Sequence, residues 1–252
     1  MNSTLNIEIR YTDEVLALLR SGSKELLKTH HWDENDIEKR IKYASALFPE
    51  LTGHEILILF THDPNREPRV LGSMHPPLCP IMDEENPDVI ELRRTRPKAF
   101  IINFWAGIFS YDEIAQLINY SHEFQHVVQY VTSEKCYWLC RIMYFLIKPM
   151  QDEELPTEID AERVSKKVLE LIYGKKKVDE WVLQQLDKKP RGFLVRFGNY
   201  NVDIGYDIKQ KTMELWQANG LEEIIKELRN EPKKTDKEQR VLKKYDNLTK
   251  ER

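Results

Sequence analysis

The sequence predicts a protein of the α+β class, with a small β-sheet in its first half and helices through its second half. Segments with the alternating or continuous apolar pattern of strands all lie before residue 105. Apolar residues at helical spacing, preceded by helix-start signals, recur from residue 110 to residue 228. Only 9 of the 252 residues are glycine and 32 % are charged, a composition that suits a helix-rich protein.

The elements of the first half follow from these patterns. Alternation over residues 6–10 predicts a short strand, and the continuous apolar run at 55–60 predicts a buried one. Six prolines between residues 62 and 87 predict an irregular excursion. The other expected elements are helices at 12–20 and 33–47, a candidate strand at 89–93 and a strong β segment at 98–104.

The second half is predicted to be helical up to a charged tail. The apolar segment at 136–147 carries Arg141 and is well short of the roughly 20 apolar residues that a membrane span requires, so a buried helix is expected. Residues 229–252 contain nine Lys or Arg and five Asp or Glu, which predicts a solvated, partly helical tail. Further helices are expected at 157–174, 178–186 and 206–228, with 192–203 less certain.

The strongest motif lies near the middle of the chain, in residues 120–129. His122 and His126 are four residues apart, so on a helix their side chains stand on the same face. Two imidazoles in this arrangement provide half of a tetrahedral zinc site. Glu123 lies about 100° further round the helix, where a carboxylate can take a proton from a water activated by the metal, as in metalloproteases.

The helix that carries this motif has a predicted start and a predicted buried side. Ser110 to Glu113 form a capping-box pattern. Leu117, Phe124 and Val128 then form an apolar stripe, and the two histidines stand on the neighbouring face. The histidines are therefore expected at the edge of the buried side, where a metal site can form.

A catalytic zinc site needs a third protein ligand and an open position. The metzincin solution is excluded, because Gln129 and Thr132 stand where that pattern has a glycine and a third histidine. A carboxylate from a later helix is another solution. Glu158 fits it, since it lies 32 residues after His126, which leaves room for one intervening helix. The neighbouring acids Glu154, Asp160 and Glu162 are alternatives.

The combination of His122-Glu123-x-x-His126 with Glu158-x-x-Ala161-Glu162 resembles the gluzincin group of zinc peptidases. It is similar to their minimal members and to the ImmA/IrrE-like peptidases, over residues 100–162. The resemblance implies a zincin-like domain, built from a small sheet and an active-site helix, that hydrolyses peptide bonds. It also implies that His122, His126 and Glu158 bind Zn²⁺, that Glu123 is the general base, and that Glu162 supports the ligands from behind.

This interpretation predicts that the chain has three parts. Residues 1–175 form the zincin-like metallopeptidase domain, in which the first ~95 residues have no defined relation to the family. Residues 176–228 form a helical C-terminal part, and 229–252 form the charged tail.

Hydrolysis also requires a donor for the developing oxyanion. The candidates downstream of the ligands are Arg196, Tyr200 and Tyr206.

Two other functions are consistent with the motif. A deformylase-like amidohydrolase would use an upstream cysteine as the third ligand, and Cys79 lies at a workable distance, although the sequence around it lacks that family's motif. Cys79 has two other possible roles: a thiolate that inhibits by binding the zinc, or a buried structural residue. The second alternative is a binding or regulatory module that keeps zinc without turnover. The presence of Glu123 argues against it, because a structural site needs no base.

The composition limits the partners and the compartment. A formal net charge of −4 gives no electrostatic basis for binding nucleic acid, so the expected partner is a protein or peptide substrate. The three cysteines, Cys79, Cys136 and Cys140, are an odd number in a long chain, which favours a reducing, cytoplasmic compartment over a disulfide framework. The first residues show no basic segment followed by an apolar run, so we expect no signal peptide.

Overall fold

The computed structural model describes residues 5–21, 34–62, 72–77, 86–147, 154–188, 192–203 and 205–250. The predictions for Cys79 fall outside these ranges. Within them the chain combines one mixed, four-stranded sheet with helices, which confirms the predicted α+β class.

The strands are Asn6–Tyr11 (β1), Glu55–Thr61 (β2), Gly72–His75 (β3) and Phe100–Trp105 (β4), and they lie in the order β1-β2-β4-β3. β2 pairs in parallel with both β1 and β4, whereas β3 pairs antiparallel with β4. The predicted strands at 6–10, 55–60 and 98–104 are therefore confirmed. In the described part of the chain, β3 is an edge strand and β4 is paired on both sides.

The helices include Asp13–Ser21 (α1), Glu34–Ser45 (α2), Pro87–Thr95 (α3), Glu113–Leu146 (α4), Pro156–Tyr173 (α5), Lys175–Lys188 (α6), Gly192–Asn199 (α7), Ile208–Ala218 (α8), Leu221–Asn230 (α9) and Asp236–Lys250 (α10). α4 contains one non-helical residue, Ser133 (φ −151°, ψ 48°), which divides the motif-bearing part from the apolar part. Gly220, with a φ of 61°, separates α8 from α9, so the single helix predicted at 206–228 is in fact two.

Both faces of the sheet are covered, which explains why β2 and β4 are mostly apolar, with the buried Asn103 as an exception within β4. On one face, Ile58, Phe60 and Phe104 join the main core, which also contains the buried residues of α4. On the other face, Leu57 and Ile101 belong to a smaller cluster completed by residues of α3. The sheet therefore holds α4 against one of its faces, close to the edge formed by β3.

Two predictions between residues 62 and 95 were wrong. Residues 89–93 lie in helix α3, because Pro87 occupies its first turn and the Asn86 side chain accepts a hydrogen bond from the Asp88 amide. The segment predicted to be irregular at 62–87 contains the strand β3, which is held by backbone pairing with β4; its residues 63–71 and 78–85 lie outside the described ranges.

The C-terminal helices pack on α4 and α5. The tail is partly helical, as predicted, but it is not fully solvated, because Val241, Tyr245 and Leu248 of α10 are buried. The Tyr245 ring stacks on Trp216 of α8, and Lys244 donates to Glu134 of α4 over the face of Trp138. Apolar residues at i, i+4 and i+7 thus form a docking stripe within a segment whose overall composition is charged.

The apolar second part of α4 is buried, as expected. Cys136, Tyr137, Trp138 and Cys140 are almost completely covered by the surrounding helices. Across the described ranges, no helix combines the length and the hydropathy that crossing a membrane requires.

Candidate metal centre

Helix α4 begins two residues later than its capping-box pattern predicts. Ser110 belongs to a short 3₁₀ helix, Ala106–Ser110, and its hydroxyl donates to the carbonyl of Gly107. The cap is Asp112, whose carboxylate accepts a hydrogen bond from the Ala115 amide at 2.9 Å. The predicted apolar stripe of the helix, which includes Leu117 and Phe124, is buried against the sheet.

The two histidines converge on a carboxylate from α5. The Nε2 atoms of His122 and His126 lie 3.0 Å apart. Glu158, in the first turn of α5, places Oε2 3.0 Å from His122 Nε2 and Oε1 3.4 Å from His126 Nε2. These residues form a group of three side chains that could hold a metal ion. The Glu–His contact thus brings together the three residues that the sequence singled out as ligands.

The spacing of these donor atoms fits a tetrahedral ion. Ligands bound at about 2.05 Å around a tetrahedral centre lie about 3.3 Å from one another. The two Nε2 atoms lie 3.0 Å apart, and each lies near a different oxygen of Glu158, at 3.0 Å for His122 and 3.4 Å for His126, all close to that value. Two imidazoles and one carboxylate are also a donor set found at zinc sites that keep an open position. The side chains present therefore fit a metal ion without rearrangement of either helix.

The group has a strongly polarised charge distribution. Burial raises the pKa of Glu158, but the imidazoles of His126 and His122 outweigh it and hold that pKa well below the usual range. Burial lowers the pKa of His126, but Glu158 and Glu123, with the hydrogen bond to Gln129, raise it to about 9. Protons and a metal ion therefore compete for the same side chains.

Glu123 lies beside the group and not in it. Its side chain is 7 % exposed, and its Oε2 atom is buried without a hydrogen-bond partner among the described residues. Burial is the largest cause of a raised pKa for this carboxyl group, against the opposing effect of the two histidines. A buried carboxylate with a free oxygen and a raised proton affinity has the properties of a general base.

The edge strand β3 approaches Glu123 through Gly72. A Cβ atom built on Gly72 would lie 2.9 Å from Glu123 Oε1 and 2.8 Å from the ring of Phe104. The absence of a side chain at this position therefore leaves the carboxylate room beside the strand.

We expect Gly72→Ala to destabilise the fold by about 1–3 kcal/mol, because the buried Phe104 ring cannot move away from the new methyl group. Thermal unfolding measures this change. Gly205→Ala is the matched control, since a Cβ there meets nothing within 4 Å. Equal melting temperatures for the two variants would contradict the close approach of β3.

The resemblance places Glu162 behind the candidate ligands, and in the structure its carboxylate bonds to side chains of the C-terminal part. Its carboxylate accepts from Tyr200 Oη at 2.5 Å and from Arg196 Nη2 at 3.0 Å. Behind His126 lies Gln129, whose Oε1 is 2.9 Å from His126 Nδ1. Sequence reasoning missed Gln129, although its position three residues after His126 places it on the same face of the helix.

The three oxyanion candidates lie against α5. Tyr200 and Arg196 both bond to Glu162, one turn beyond Glu158. The Tyr206 ring stacks under the Arg163 guanidinium at 5.4 Å. Burial and the contact with Glu162 raise the pKa of the Tyr200 hydroxyl, so it stays protonated at neutral pH and serves as a donor.

Comparisons with protein-family models, with curated proteins and with solved structures found no match for this chain.

Proposed function

We propose that the protein is a zinc-dependent peptidase with a zincin-like, gluzincin-type catalytic domain. One observation carries the proposal: His122, His126 and Glu158 converge at the spacing of a tetrahedral ion, with the buried carboxylate of Glu123 next to them. Nitrogen and oxygen donors of this kind suit zinc. Because three protein ligands leave one position open, the site has the composition of a catalytic centre and not of a structural one.

Each side chain has a distinct role in the proposed reaction. Zinc held here supplies a Lewis acid for the scissile carbonyl and lowers the pKa of the attacking water. Glu123 accepts the proton of that water at its free oxygen and then donates it to the leaving amine. Burial raises the proton affinity of Glu123, which favours the first of these steps.

The edge strand β3 supports a peptide as the substrate. An extended peptide can pair with an unpaired strand edge through main-chain hydrogen bonds. β4 is excluded from this role by its pairing with β2 and β3, whereas β3 has a free edge in the described part of the chain. Gly72 of β3 lies close to Glu123, so a peptide on that edge would pass beside the general base.

The alternatives are less well supported. A deformylase would take its third ligand from Cys79, but Glu158 occupies the position beside both histidines. A zinc-binding module without turnover would have no use for a buried carboxylate next to its ligands.

Cys136 and Cys140 are free thiols, which supports a reducing compartment such as the cytoplasm.

Metal content and metal-dependent cleavage test the proposal directly. Protein purified without chelator is expected to contain about one zinc per chain, and His122→Ala/His126→Ala is expected to contain none. Removal of the metal should abolish peptide hydrolysis, and added Zn²⁺ should restore it. Full zinc occupancy in the double variant, or cleavage that persists in the metal-free protein, would refute the proposal.

A further inference from the structure

The side chain of Gln129 bonds to His126 and to Thr157 and Asp160, which lie on either side of Glu158 in the sequence. It is 2 % exposed and lies on the same helix as His126, one turn further along. We propose that Gln129 is a positioning residue of the metal centre: its amide fixes the ring of His126 and ties it to the turn that carries Glu158. This inference rests on the proposed metal site and adds to it a residue that the motif does not include.

The hydrogen bonds of Gln129 determine which end of its amide is which. One end lies 2.8 Å from the backbone carbonyl of Thr157, and a carbonyl can only accept a hydrogen bond. The same end lies 2.8 Å from a carboxylate oxygen of Asp160, which also accepts. This end must therefore be the NH₂ group, and the other end, which faces His126, must be the oxygen.

The orientation of the amide in turn determines the tautomer of His126. Gln129 Oε1 accepts, so Nδ1 of His126 must carry the proton that it donates across 2.9 Å. In a neutral ring the lone pair then lies on Nε2. This is the atom that faces His122 and Glu158, so the ring is held in the form that binds a metal.

The same amide also anchors the third ligand. Thr157 immediately precedes Glu158, and Asp160 lies two residues after it, so the NH₂ group of Gln129 bonds on both sides of the ligand. Gln125 donates to the same Asp160 oxygen at 2.7 Å and strengthens the connection between α4 and α5. The distance between His126 and Glu158 is thereby set by hydrogen bonds that exist without the ion.

Gln129→Met tests the proposal, because methionine keeps the unbranched shape and loses the amide. We expect zinc affinity to fall by about 10- to 100-fold, the loss typical of removing a ligand's hydrogen-bond partner. Affinity is measured by competition with a chromophoric chelator.

Gln116→Met is the matched control. Gln116 is also a fully buried glutamine of α4, and it donates to the carbonyls of Ile108 and Tyr111 away from the ligands. Both variants are expected to lose thermal stability, but Gln116→Met should bind zinc as the wild type does. Unchanged affinity in Gln129→Met, or equal losses in the two variants, would overturn the proposal.

A second measurement needs neither a variant nor the metal. Long-range ¹H–¹⁵N correlation spectra of the metal-free wild type, at a pH that keeps the ring neutral, are expected to show His126 protonated at Nδ1. Protonation at Nε2 would overturn the role of Gln129. Wild-type protein that shows the expected tautomer but binds no zinc would instead contradict the proposed function, so the two failures are distinguishable.

Discussion

Glu123→Gln is expected to keep the metal and the fold but to lose peptide hydrolysis by on the order of 10²-fold or more. The amide has the size of the carboxylate and lies beside the ligands without being one of them, so zinc content should not change. It cannot take a proton from water, and no second described carboxylate lies next to the ligands with a free buried oxygen. Loss of the base should therefore affect turnover and leave metal binding unchanged.

A comparison of new protein termini in a proteome incubated with wild type or with Glu123→Gln measures this effect without a known substrate. Glu113→Gln is the control, since Glu113 is an exposed acid in the first turn of the same helix, where it accepts from Tyr173. It should cleave as the wild type does. If wild type and Glu123→Gln give the same termini, Glu123 is not the base, and a binding module becomes the better description.

The parts of the fold that follow from local pattern were predictable. β2 and most of β4 are apolar because both of their faces are covered, and that pattern is visible in a single sequence. The histidine pair was equally predictable, because the geometry of a helix alone places positions i and i+4 together. The position of Glu158 could not be derived from helix geometry alone. A spacing of 32 residues from His126 is compatible with many arrangements, and only the packing of α5 on α4 selects one.

The elements that depend on contacts with other parts of the fold were not predicted. β3 has four residues and is held by its pairing with β4, so its own sequence carries little strand signal. For α3 the signal was present, because Asn86 followed by Pro87 marks a helix start, but the short apolar run after it also fits a strand. The docking stripe of α10 was not predicted, because the composition of this segment is dominated by charged residues. Its buried residues Val241, Tyr245 and Leu248 are spaced among many lysines.

The residue that supports His126 from behind was the hardest part of the site to predict from the sequence. The family resemblance assigns this role to an acid one turn beyond Glu158, and Glu162 stands there. In the structure that acid is engaged by Arg196 and Tyr200, while Gln129 reaches His126 from its own helix. Because a glutamine is neutral and common on helices, nothing in its sequence environment distinguishes it. Its role becomes visible only when the acceptors Thr157 and Asp160 are placed beside it.

Glu158→Ala should have the largest effect on the metal. The variant leaves two imidazoles and removes the carboxylate that contacts both of them. Zinc affinity should fall by more than the roughly 10- to 100-fold loss caused by removing a ligand's hydrogen-bond partner, and hydrolysis should disappear with it. Chelator competition and elemental analysis measure the first effect. Glu154→Ala is the control, because that exposed acid lies just before α5 and should bind zinc normally.

Cys79→Ser completes the test, because it separates the two sources of a third ligand. If Glu158 binds the metal, Cys79→Ser should keep zinc affinity, and its activity should stay the same or rise where the thiolate acts as an inhibitor. Deformylase chemistry requires the opposite pattern, in which Cys79→Ser loses the metal and Glu158→Ala keeps it. The structure favours Glu158, since the first turn of α5 holds its carboxylate 3.0 Å from His122 before any ion binds. Loss of zinc only in Cys79→Ser would refute this assignment.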